Sequence, residues 1–109
     1  MMSRTRTDEP LRSEFAGDAE MHELIEFYLE ELKRKVAAIE SCLKLDDAGG
    51  IQMVAHQLKG SSVGYGYPSI GEVAGELEAA LRSGSKDLVQ GLTDQLLGLC
   101  SRALMSGAD

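Results

Sequence analysis

His56 stands out in this chain for the residues around it. At ~100° per residue it lies roughly 200° around a helix from Val54, away from the apolar positions. Lys59, Gly60 and Val63 follow at the three-, four- and seven-residue steps that share its face. Gln52 and Met53 lie on its other side. The pattern puts an imidazole, an ammonium and a gap on one outer surface. A neutral imidazole is a nucleophile or base near pH 7, and a lysine is a point-charge partner for phosphate. A solitary histidine lacking a Ser or Cys nucleophile and an orienting third group is otherwise an ordinary surface residue. Gly60 needs a reason, because glycine inside a helix costs about 1 kcal/mol relative to alanine. Two reasons stand level on spacing alone. It keeps the approach to the imidazole open, or it forms with Gly64 a small-residue seam for helix packing. Gly71 and Gly75 read as packing glycines.

Other chemistries find no residues. Cys42 and Cys100 lie far apart, with no C-x-x-C or Cys/His cluster for zinc. Both read as small buried hydrophobes in a reducing compartment. A di-iron bundle needs Glu-x-x-His, but Ala19 precedes His22 and Met53 precedes His56 at that spacing. No G-x-x-x-x-G-K-[ST] or G-x-G-x-x-G loop occurs, so neither ATP binding nor self-phosphorylation is expected. His22, without a Lys-Gly neighbour, reads as a surface or boundary histidine. The net charge of −7 disfavours nucleic acid and anionic membrane as partners. The polar start lacks the apolar run of a secretory signal, and no stretch approaches the ~20 apolar residues of a membrane span. A cytoplasmic location is expected, and no metal or cofactor of its own.

The elements that must position His56 are helices. A length of 109 residues fits one domain. Residues 1–15 are polar and aperiodic, and read as a flexible arm or a short helical turn held by Leu11 and Phe15. Residues 16–109 form the second unit. Asp18 reads as an N-cap, followed by a stripe of Met21, Leu24, Ile25, Tyr28, Leu32, Val36, Ile39 and Leu43. Asp46 and Asp47 open a second helix, with Gly49 and Gly50 weakening its first turn. Its stripe is Ile51, Val54, Ala55, Leu58, Ser62 and Tyr65, and Gly64, Gly66 and Pro68 mark its end. Ser69 and Glu72 read as a capping box for a third helix bearing Ile70, Val73, Ala74, Leu77, Ala80 and Leu81. Ser85 reads as cap of a fourth, with Leu88, Leu92, Leu96, Leu99, Cys100 and Leu104. There is no Trp and few Phe or Tyr, so the core is expected from Leu, Ile, Val, Ala and Met. Short connections make neighbours antiparallel. The expected fold is all-α, an up-down antiparallel four-helix bundle, monomeric because four stripes can close on one another.

The run Ala55-His56-Gln57-Leu58-Lys59-Gly60-Ser61-Ser62, with Gly66 beyond it, resembles the signature of the histidine-containing phosphotransfer (HPt) family. That signature reads A-H-x-L-K-G, two small residues, then a further glycine. The segment Ile70, Val73, Ala74, Leu77, Glu78 is similar to the family's third helix, and Phe27 to Leu32 to its first. The resemblance spans about residues 15 to 104, and the glycine-rich entry from Asp46 to Met53 departs from it. It implies that His56 accepts a phosphoryl group through Nε2 from a receiver-domain aspartate and returns it to another receiver. Lys59 would offset phosphoryl charge and Gly60 would admit the group. Ser61 and Ser62 would serve packing and backbone bonding, with Ser61 also able to donate to phosphate. The implied partners are response-regulator receiver domains and a hybrid sensor kinase, with Mg²⁺ carried by the receiver. Gln52, Met53 and Val63 would form the docking patch. The alternative is a helical adaptor of this fold that binds a signalling partner without phosphorylation.

Overall fold

The computed structural model describes residues 9–107. Four helices carry the chain: α1 (His22–Lys44), α2 (Ala48–Ser61), α3 (Pro68–Ser83) and α4 (Lys86–Ser106). Each packs on its neighbours in sequence, and α4 closes on α1. The diagonal pairs make no close backbone approach, and the four helices surround one core. No strand occurs among the described residues. This is the up-down four-helix bundle that the apolar stripes and short turns predict.

The turns show why the helices begin and end where they do. Asp18 caps a short 3₁₀ turn (Ala19–Met21) by accepting from Glu20 N at 3.0 Å, and α1 continues from it. At the far end Asp46 adopts the left-handed conformation (φ 56°) and Asp47 N donates to Cys42 O at 2.8 Å, closing the last turn. Asp47 then caps α2 by accepting from Gly50 N at 3.0 Å. A side chain at Gly50 would run into both that carboxylate and the Cys42 sulfur. The glycine that costs helix propensity there is required by close approach. After α2, a 3₁₀ turn (Val63–Tyr65) ends at Gly66 with φ 90°, a conformation that suits glycine.

Several expectations need correction. The Ser69–Glu72 capping box does not form. Helix α3 starts two residues earlier, at Pro68 with Tyr67 in the cap position, and proline's fixed φ and missing N–H suit a first helical position. Ser85 sits at the cap position of α4, but its hydroxyl bonds Ser83 Oγ at 2.9 Å, not the helix. Leu88 is exposed, and Val89 faces the core in its place, with Thr93 and Ala103 joining Leu96 and Cys100. On α1, Leu24 and Leu43 are only half covered, whereas Leu29 is buried. The core also includes aromatic rings. Tyr28 stacks on Tyr65 and Tyr67 at centroid distances of 5.0 and 5.2 Å, and its hydroxyl bonds buried Ser62 Oγ at 2.6 Å. Methionine contributes less than expected, since Met21 is only partly buried and Met105 faces solvent. Cys100 is fully buried, and burial pushes its thiol up to about 12, while Cys42 is only partly covered.

The arm expected over 1–15 falls partly on residues 1–8, outside the described ones. The described part is fastened to the bundle. Leu11 N donates to Arg102 O at 2.9 Å, and Leu11 O accepts from Ser106 Oγ at 2.8 Å. Ser13 Oγ donates to Tyr65 O at 2.7 Å, and Glu14 N to Gly66 O at 2.8 Å. These bonds tie the segment across the end of α4 and the turn after α2. The backbone groups freed by that turn find partners in the strap.

Candidate functional site

Helix α2 turns Ile51, Val54, Ala55 and Leu58 into the core, which sends His56 outward. Its side chain is 67% exposed. Helix α3 passes alongside, brought close where Gly71 meets Lys59 O and the Val63 and Ser62 side chains. Two turns further along α3 stands Glu78, 3% exposed, on the edge of the apolar stripe. Its Oε2 lies 2.9 Å from His56 Nδ1. The same oxygen accepts from Arg82 at 3.1 Å, and Oε1 lies 3.6 Å from Lys59 Nζ.

Burial pushes the Glu78 carboxyl toward a higher pKa. The His56 hydrogen bond outweighs it, together with the positive charges of Arg82, a protonated His56 and Lys59. The net pKa falls below the usual carboxylate value. Glu78 is therefore ionised near neutral pH and can only accept. It follows that His56 Nδ1 carries the hydrogen. In the neutral ring this leaves the lone pair on Nε2, which no described residue engages. A buried carboxylate thus fixes the tautomer of an exposed imidazole and leaves its lone-pair nitrogen unengaged.

The predicted neighbours divide. Lys59 reaches Glu78, and its aliphatic stem runs over Gly75, so that glycine serves packing against a side chain of the site. Nothing lies within 4 Å of where a Cβ at Gly60 or Gly64 would be. The seam reading of that pair therefore fails, and the surface beside His56 is open at Gly60. Gln52 and Met53 line a shallow cleft of about 300 Å³ with His56, Gly49, Glu78 and Arg82. Val63 is exposed but sits beyond the helix end, outside that cleft. Ser61 Oγ donates to Gln57 O at 3.0 Å, so its hydrogen is engaged by the helix. Ser62 is buried against Tyr28. His22 is a boundary residue, half-buried, with Nε2 3.0 Å from Ala16 O.

Comparison with family models matches the Hpt domain over residues 23–105. The chain belongs to the Hpt domain family. Comparison with curated proteins and with solved structures returns no match. The family performs histidine phosphotransfer in two-component phosphorelays with receiver domains as partners, and its members are carriers, not kinases.

This Hpt domain brings in two residues that sequence reasoning left out of the site. Glu78 had a signal: a carboxylate four residues after Ala74, on a stripe otherwise apolar, needs a partner when buried. Arg82 had none, since an arginine in the last turn of a helix is explained by the helix dipole. No cluster of three metal-ligating residues occurs among the described residues, and no helix there is long and apolar enough to cross a membrane.

Proposed function

We propose that this Hpt domain is a phosphorelay carrier that takes a phosphoryl group from a receiver-domain aspartate onto His56 Nε2 and passes it to a second receiver. The observation that carries this reading is the 2.9 Å contact between His56 Nδ1 and the buried Glu78 carboxylate. The Nε2 lone pair attacks the phosphorus of the aspartyl phosphate. The N–P bond forms as the P–O bond to the aspartyl carboxylate breaks, and the electron pair leaves with that carboxylate. The ring keeps its Nδ1 hydrogen, so the product is a phosphoimidazolium beside Glu78. Return is the same step reversed onto another aspartate. Phosphoryl transfer depends mainly on positioning and charge stabilisation, and this chain supplies both without a nucleotide site.

Lys59 offsets phosphoryl charge, and Gly60 leaves room for the receiver's active-site loops. Gln52 and Met53, beside the ring, are the first docking contacts, with Val63 at the margin. Mg²⁺ is carried by the receiver and a hybrid sensor kinase supplies the relay. The domain acts as a cytoplasmic monomer, consistent with apolar stripes that close on one another within one chain.

The test is phosphotransfer from phosphorylated receiver domains in the presence of Mg²⁺. Acid-labile, base-stable label is expected on the wild type and none on His56→Gln, with both helical by circular dichroism. Persistent label on His56→Gln names the wrong residue. No label from any receiver of the source organism, on a folded bundle, points to a non-phosphorylated adaptor.

A further inference from the structure

The carboxylate beside His56 bears on the step that gives the phosphoryl group away. When the group departs from Nε2, the ring is what it leaves behind. A ring with a hydrogen on Nδ1 departs as neutral imidazole. A ring that has lost that hydrogen must depart as an imidazolate anion, a far poorer leaving group. The competence of phosphorylated His56 as a donor therefore depends on what holds the Nδ1 hydrogen, and Glu78 Oε2 is the atom 2.9 Å away.

We infer that Glu78 is a positioning residue for the return step, its negative charge keeping phosphorylated His56 in the imidazolium form while Lys59 and Arg82 turn to the phosphoryl oxygens. This rests on His56 being the phosphoacceptor. The charges around the ring fit the exchange. From α3, Glu78 and Arg82 face it, and on α2 itself Lys59 shares the Glu78 carboxylate. Among the described residues, α1 and α4 contribute no hydrogen-bond or ion-pair partner to His56. With a neutral ring, one carboxylate faces two fixed cations, an excess of one positive charge. A phosphoryl dianion on a cationic ring brings the cluster to neutrality. Glu78 then has the ring as its counter-ion, and the two long, largely exposed cationic side chains are free to swing toward the new anion. Arg82 already shares Oε2 with the ring, so it has a short distance to travel.

The experiment uses phosphoramidate, a small phosphoryl donor that labels imidazole without any protein partner. Wild type and Glu78→Gln are labelled, and the phosphorylated ring is titrated by ³¹P NMR. The glutamine oxygen still accepts from Nδ1, so the ring keeps its tautomer and only the charge is lost. A neighbouring opposite charge shifts a titration by about one to three pH units. The midpoint of the ring is expected to fall by at least about one pH unit in Glu78→Gln. Return transfer to a receiver should then be slower in the variant only above the variant's own, lower midpoint. Below both midpoints either ring is cationic, and the variant should donate at least as fast. Unchanged midpoints overturn the inference, and so does uniform slowing at every pH, which is what a merely structural role predicts. A lowered midpoint without transfer to any receiver would sink the carrier reading and leave the charge assignment standing. Failure of phosphoramidate to label His56 would overturn both.

Discussion

The two histidines of this domain show how one side chain is held in two ways. His22 stands where the N-terminal turn meets α1, half-buried, with Nε2 on the carbonyl of Ala16. A carbonyl only accepts, so the hydrogen there is on Nε2, and that nitrogen is occupied. His56 lies on the open face of α2 with Nδ1 on a carboxylate, so its hydrogen is on the other nitrogen and Nε2 is free. Identity alone does not separate a strut from the proposed nucleophile. The difference lies in which ring nitrogen faces an acceptor, and that is decided by a residue on another element.

Access sharpens the contrast most. Gly60, one turn from His56, opens onto empty space. Gly60→Leu should fold, because nothing lies within 4 Å of its new Cβ, and on the proposed reading its side chain obstructs the receiver's approach to His56. Misplacement of reacting atoms by about 1 Å costs on the order of 10²-fold in rate, so phosphotransfer should fall by about that factor. The measurement is the rate of label transfer from a phosphorylated receiver, with thermal unfolding as control. Unchanged transfer would mean that receivers reach the imidazole from the Met53 side.

The next effect is on stability and separates two glycines of the same helix. Gly50 is enclosed by Cys42 Sγ and the Asp47 cap, whereas Gly60 is not. Gly50→Ala forces the sulfur or the capping carboxylate aside, and overpacking of this kind costs about 1–3 kcal/mol. Gly60→Ala should instead stabilise α2 by up to about 1 kcal/mol, the helix propensity difference. Paired denaturant titrations give both signs at once. Equal destabilisation by the two substitutions would mean that the outer face near Gly60 is packed against something.

Much of this was legible in the sequence, for reasons that particular residues make clear. Ile25, Leu32 and Ile39 recur at a helical period and are all fully buried, so the stripe of α1 was readable. His56 was readable because its angle from Val54 follows from helix geometry alone. Leu88 and Val89 were not separable, because adjacent apolar residues at a helix start differ only in how α4 rotates against its neighbours. The Ser69–Glu72 pair carried a genuine capping pattern, but Pro68 is also suited to begin a helix, and the start lies two residues earlier. Glu78 was visible as an oddity on an apolar stripe. Its partner was not, because the angle and offset at which α3 crosses α2 depend on packing at Gly71 and are not written in either helix alone.

The smallest effect concerns His22, and it checks the comparison from the other side. His22→Ala removes one hydrogen bond to a carbonyl, worth about 0.5–1.5 kcal/mol net. The strap keeps its other fastenings, Ser13 on Tyr65 O, Glu14 on Gly66 O and Leu11 on Arg102 O, so the bundle should lose no more than that. Amide exchange should quicken over residues 16–21 and stay unchanged in α2, with phosphotransfer unaffected. Before the substitution, ¹⁵N correlation spectra of the neutral rings should show the hydrogen on Nε2 of His22 and on Nδ1 of His56. Finding the same tautomer at both would break the comparison, because the carboxylate at Glu78 would then not be what distinguishes the proposed nucleophile from the strut.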